Sequence, residues 1–211
     1  MMFDMPDEAR MARARPLGPF LCDAVFGIAA SLYTGPENGF SQQEWESSRV
    51  FLDPPELPPR LYGFVPTVDL IGREAALIAF YERLITTAEK HGKRDAIAKP
   101  FPYFRVTPTI LEADQPVLSF PWTDDVRETA AILTALAGAG SDGLVWDDID
   151  QGWFVQIACR DGTLFMMEGD PDEDEPDIAL RADASAALMR LNALHGRMMQ
   201  AFGQDFWTVV R

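Results

Sequence analysis

Residues Leu144–Glu168 read LVWDDIDQGWFVQIACRDGTLFMME. Two turn signals, Asp150-Gln151-Gly152 and Asp161-Gly162, cut this stretch into three apolar runs of strand length: 144–149, 153–159 and 163–168. An Asp-Gly pair suits a two-residue hairpin loop, because both central residues of the favoured turn take positive φ. No proline falls between positions 122 and 170, so nothing removes a backbone donor from the ladder. The stretch predicts an antiparallel three-stranded meander.

Helical periodicity lies on either side of it. Leu70, Leu77, Tyr81, Leu84 and Ala88 recur on one face of a helix expected over 67–91, with Ile71, Ile78 and Ile85 alongside. Thr67 is placed to cap it, Lys90 and His91 complement its dipole, and Gly92 can close its last turn. A second helix is expected over 125–137, with an Asp125/Glu128 capping box and a stripe of Val126, Ala130, Leu133 and Leu136. A third is expected over 184–202, ended by Gly203 before a hydrophobic tail at 206–210. Residues 103–111 and 117–120 read as strands, Pro108 marking an edge or a bulge. The apolar run 19–33 reads as a short buried helix closed by Gly35-Pro36. Residues 1–17 read as a mobile lead and 36–66 as mostly irregular, with 53–59 (DPPELPP) a stiff extended spacer. The fold class is therefore α+β: one domain over 18–211, a small antiparallel meander packed by helices behind an irregular proline-rich N-terminal segment.

The 211 residues carry 33 acidic and 18 basic side chains, a net charge of −15. Residues 141–177 alone hold 12 acids against Arg160, so one short stretch supplies most of the imbalance. Like-charge repulsion disfavours nucleic acid and anionic membrane surfaces as partners. Two cysteines, Cys22 and Cys159, make no disulfide framework, and cytoplasmic residence is the expectation. Arg10, Arg13 and Arg15 precede an apolar run as in a secretory signal, but Pro19 and Asp23 interrupt that run. No stretch has the ~20 apolar residues of a membrane span.

Each catalytic pattern lacks a partner. Gly138–Gly143 matches the dinucleotide G-x-G-x-x-G, yet it follows a helix and leads into a strand, the reverse of the working order. Ser141 would need a histidine; His91 and His195 stand in no recognisable motif. Cys159 reads as a buried, inert thiol. Asp170-x-Asp172-x-Asp174 imitates the start of a calcium loop, but Glu175 replaces the sixth-position glycine and Arg181 the twelfth-position glutamate. Asp147, Asp148 and Asp150 offer carboxylates for a metal ion or for acid–base work, without the lysine that a metal-dependent nuclease adds on the next strand. No catalytic residue, cofactor or resident metal is expected.

What remains is a surface. Glu168, Asp170, Asp172, Glu173, Asp174, Glu175 and Asp177 form an acidic run, and with Asp147, Asp148 and Asp150 they suit electrostatic docking of a basic protein, Trp146 and Trp153 serving as aromatic anchors. The same residues suit a solvated loop that aids solubility. The stretch 144–177 resembles the acidic hairpins of small immunity proteins from bacterial toxin systems, which bind and block a cognate toxin. That resemblance implies a noncatalytic inhibitor and a basic toxin as partner, and it carries no individual residue role. The alternative from another class is a metal-assisted hydrolase built on Asp147, Asp148 and Asp150.

Overall fold

The computed structural model describes residues 6, 8–57, 61, 63–97, 102–120, 123, 126–137, 141–173, 175–186 and 193. In chain order the elements are α1 (Glu8–Arg13), β1 (Arg15–Pro16), β2 (Phe20–Gly27), β3 (Ser31–Tyr33), α2 (Gln42–Ser47), β4 (Arg49–Phe51), β5 (Phe64–Pro66), α3 (Thr67–Leu70), α4 (Glu74–Lys90), β6 (Val106–Glu112), β7 (Gln115–Ser119), α5 (Val126–Ala137), β8 (Gly143–Asp150), β9 (Trp153–Arg160), β10 (Thr163–Gly169) and β11 (Ile178–Asp183). The class is α+β, with mostly antiparallel strands and helices packed on them. The described chain divides into two compact units: residues up to Ala24 together with those from Thr107 onward, and residues Val25–Val106.

The first unit is built on a five-stranded sheet of order β1-β11-β10-β9-β8. Its centre is the meander expected from 144–168. Both turns take positive φ at two successive residues, Gln151 (50°) with Gly152 (78°) and Asp161 (49°) with Gly162 (72°), the signature of the two-residue hairpin. Two strands extend the meander. β11 pairs antiparallel with β10, Met166 facing Leu180, and β1 pairs parallel with β11. Part of the stretch expected as a mobile lead is thus a helix and a strand. They are tied by ion pairs from Arg13 to Glu175, Arg15 to Glu112 (2.8 Å) and Arg160 to Glu8 (3.0 Å). Met11 of α1 packs with Phe154 and Met167 on one face of the sheet.

The β6–β7 hairpin matches the strands expected around 103–120. The bulge expected near Pro108 is found between Ile110 and Leu111. Thr107 and Thr109, flanking the proline, donate their hydroxyls to the carbonyls of Phe120 (2.9 Å) and Leu118 (3.0 Å). The hairpin turns through Ala113 (φ 50°) and Asp114 (φ 64°). A Cβ is crowded at positive φ, at a cost of roughly 1–2 kcal/mol for an ordinary residue. Asparagine tolerates this conformation, so Ala113→Asn is expected to stabilise the protein by about 0.5–1 kcal/mol. A urea midpoint that falls instead of rising would contradict this account of the turn.

α5 occupies the helix expected over 125–137, with Thr129, Ile132 and Leu136 buried. Asp125 of the proposed capping box lies outside the described residues. So do Gly138, Ala139, Gly140, His195 and nearly all of the helix expected over 184–202, of which 184–186 are helical and capped by Asp183 on the Ala186 N–H (2.7 Å).

In the second unit, the 67–91 helix is two helices. The break falls at Ile71-Gly72, Gly72 taking φ 76°. Thr67 is not the cap: Pro66 and Arg73 hold the N-cap positions, neither with a side-chain bond. Leu77, Tyr81, Leu84 and Ala88 are buried as the periodicity implied. Gly92 N–H reaches Glu89 O and Lys93 N–H reaches Ala88 O (2.7 Å), a left-handed glycine cap. The helix expected over 19–33 is not formed; β2 and β3 stand there. Residues 22–27 are buried without a break, so the run showed neither the helical nor the strand period. The end of β2 pairs with β5, Phe26 facing Val65. Tyr81 donates its hydroxyl to the Gly27 carbonyl (3.1 Å), and burial pushes that phenol up. The proline-rich stretch 52–57 carries no helix or strand, whereas α2, β4 and β5 add short elements within 36–66.

Candidate functional site

Which face each acid of the meander occupies follows from pairing register. Directly opposed residues share a face, and so do residues two apart along a strand. β8 pairs with β9 as Trp146↔Ile157, Asp148↔Val155 and Asp150↔Trp153; β9 pairs with β10 as Ile157↔Met166 and Val155↔Glu168. Trp146, Asp148, Asp150, Trp153 and Glu168 therefore lie on one face of the sheet. Asp147, opposite Gln156, lies on the other. A register shift between Leu144 and Trp146 leaves Val145 as the extra residue and sets this division.

The meander also joins two segments far apart in sequence. Gly169, where β10 ends, faces Phe154, which faces Ile149 near the end of β8. Two inter-strand steps, about 10 Å, separate those ends. The acidic connection 170–177 thus leaves the sheet at the end where Asp148 and Asp150 stand. Asp172, Glu173, Glu175 and Asp177 are exposed, and Asp174 is outside the described residues. Asp170 accepts the Asp172 N–H (2.8 Å), folding the connection back on itself. α1 offsets part of the charge: Arg13 pairs with Glu175, and Arg10 donates to the Glu173 carbonyl (3.0 Å) while its guanidinium lies 5.8 Å from the Phe154 ring centre.

Asp148 and Glu168 flank Val155 in one row across the sheet. Burial raises the pKa of both above the ordinary 3.8 and 4.5; Asp150 and Asp147 push Asp148 further up, and Asp177 does the same for Glu168. Glu168 keeps one backbone donor, Ser119 N–H, at 3.5 Å. Next to this row, the Trp146 indole N–H is buried with no acceptor among the described residues. A carboxylate whose folded pKa exceeds its unfolded one binds more protons in the native state, so its contribution to stability falls as pH rises through the raised value. Asp148→Asn with Glu168→Gln removes that loss. The double variant is expected to gain stability relative to the parent as pH climbs from about 4 to 7, a trend that denaturant titrations at stepped pH would read. A constant difference between the two proteins would refute it.

The chemistry available here is recognition more than turnover. Asp147 is on the face opposite Asp148 and Asp150, so the three do not converge on one ion. Among the described residues no group of three His, Cys, Asp or Glu side chains is placed to hold a metal. Ser141 is exposed ahead of β8, and α5 precedes it in the helix-then-strand order inferred for the glycine motif. His91 is the exposed C-cap of α4. Cys159 is buried in β9, and burial raises its thiol pKa, away from reactivity. No described helix is long and apolar enough to cross a membrane.

A second cluster was not anticipated. In the other unit Tyr33, Phe40, Trp45, Arg49 and Phe51 gather around the β3–β4 hairpin, although up to 20 positions separate them in sequence. The visible clue was Ser41-x-x-Glu44, a capping box that both side chains complete and that fixes α2, the carrier of Trp45.

Set against known proteins, the chain matches no family model, no curated protein and no solved structure.

Proposed function

We propose that this chain is a noncatalytic cytoplasmic binding protein whose acidic sheet end docks a basic protein partner, and that it serves as an immunity protein or toxin inhibitor. One observation carries the reading: the meander brings the Asp148/Asp150 end of β8 and the 170–177 connection to the same end of one sheet. Charges spread over about 10 Å act together on an approaching cation, because that span is close to the Debye length at 0.1 M salt. Trp153, half-buried beside Asp150, supplies apolar contact once the partner has docked.

The experiment is co-expression with the product of the adjacent gene, followed by association kinetics at two salt concentrations. A basic partner whose association slows steeply with salt is the expected result. A partner indifferent to salt removes the acidic end from the mechanism. A metal-dependent hydrolysis lost in Asp148→Asn/Asp150→Asn would replace the whole reading with the hydrolase.

A further inference from the structure

We propose that the cleft beside the β3–β4 hairpin binds a small aromatic carboxylate, with Arg49 as its anion receptor. The hairpin register places Ser31 opposite Phe51 and Tyr33 opposite Arg49. These four residues share a face, and Leu32 on the opposite face is fully buried. α2 adds Trp45 to the first face. Arg49 is then held from three directions. Its Nε donates to Ser31 Oγ at 2.8 Å, and its guanidinium carbon lies 4.6 Å from the Trp45 ring centre and 5.3 Å from that of Phe51.

The outer edge of this guanidinium has no protein partner. Arg49 makes no ion pair among the described residues, although the chain carries 33 acids. Arg13, Arg15, Arg94 and Arg160 all find carboxylates. A half-buried guanidinium, fixed in place and left with two free nitrogens, is organised in advance for a forked pair of hydrogen bonds to a planar anion.

Around it is a cleft of about 540 Å³ whose walls include Tyr33, Phe40, Trp45 and Tyr103. That volume is in the range of small-molecule sites. Tyr33 lies 6.5 Å from Trp45 in a stacked arrangement and 5.4 Å from Phe40 in a tilted one. Phe40 stays 38% exposed and Phe51 74%, large apolar rings left in water unless something covers them. A ring in the cleft gains aromatic contact, and an acidic substituent gains Arg49.

Local charge selects among anions. Glu37 lines the cleft, and Glu44 is close enough to bear on the Tyr33 hydroxyl. Two nearby carboxylates penalise a phosphate dianion about twice as much as a monoanion. A cation would meet Arg49 itself, and an uncharged ring would leave its free edge unused. A carboxylate on an aromatic ring meets all these conditions. The site uses none of the acidic sheet end and stands or falls separately from it.

The test is calorimetric titration of the full chain with benzoate, indole-3-carboxylate and 2-naphthoate, alongside indole, tryptamine and inorganic phosphate. At least one carboxylate is expected to saturate with a Kd below about 1 mM, and indole and tryptamine to bind about tenfold more weakly or worse. Arg49→Lys, which loses the fork and the stacking, should weaken the carboxylate about tenfold and leave indole unchanged. Ser31→Ala keeps the charge, frees Nε, and should weaken binding by a smaller factor, which guards against misfolding of the Arg49 variant. The proposal is overturned if no carboxylate saturates, if indole binds as well, if both variants bind like the parent, or if phosphate binds more tightly than every carboxylate.

Discussion

Converting Asp148, Asp150, Asp172, Glu173 and Asp177 to their amides is expected to slow association with a basic partner by about 10-fold or more at low salt, and to flatten the salt dependence of what remains. The five side chains come from two stretches of sequence and stand at one end of one sheet, with two strand spacings between the ends of β8 and β10. Their fields therefore add over a distance that 0.1 M salt does not screen and 1 M salt, with its ~3 Å Debye length, does. Glu175 is left out of the set because its carboxylate is tied to Arg13, and an amide there would release a cation into the site. The off-rate should barely move, since exposed rim charges act on encounter. Trp153→Ala should do the reverse, raising the off-rate with little effect on association. Stopped-flow kinetics at two salt concentrations read both, and an unchanged on-rate in the five-fold variant would leave the acidic connection as a solvated loop.

The second large effect concerns Gly169. A Cβ at this position would meet the Asp177 backbone nitrogen at 2.8 Å and the Pro176 Cα at 3.2 Å, because the acidic connection returns directly over the end of β10. Backbone atoms cannot swing aside as a flexible side chain can. Gly169→Val is expected to cost about 1–3 kcal/mol, the range for overpacking a filled site, and to lower the melting temperature by about 2–4 °C for each kcal/mol. Because the clash pushes out Pro176 and Asp177, the same variant should also disturb salt-dependent docking. Wild-type melting in Gly169→Val would show that the connection has room to yield.

The meander was legible because its alternation and its two turn signals agree, and α4 because its apolar stripe repeats over four turns. β2 was not: residues 22–27 are buried on both sides, which erases the strand period, and Pro19 with the glycines at 27 and 35 framed a run of helical length. β11 was missed for a different reason. Its Leu180 and Ala182 are buried and its Arg181 and Asp183 exposed, a clear alternation, but it is only six residues long and adjoins the acidic run. The acids of the candidate site could be read as a list, whereas their grouping could not. Sequence placed Asp147, Asp148 and Asp150 together; one bulge separates the first from the other two. The Arg49 cluster was invisible because cross-strand pairing, and no local motif, brings Tyr33 to Arg49 and Ser31 to Phe51.

Val145 has a further bearing on how this chain tolerates change in length. Leu144 pairs with Ala158 and Trp146 with Ile157, so Val145 is surplus to the ladder. Losing it would leave every other partner in place and remove only a local kink. Losing one residue from 147–149 would instead carry the remainder of the strand to the opposite side, moving Asp150 away from Trp153. Insertions and deletions in β8 are thus unequal in consequence: as this sequence drifts over generations, a one-residue gap has a harmless home at position 145 and no other within the paired part of the strand.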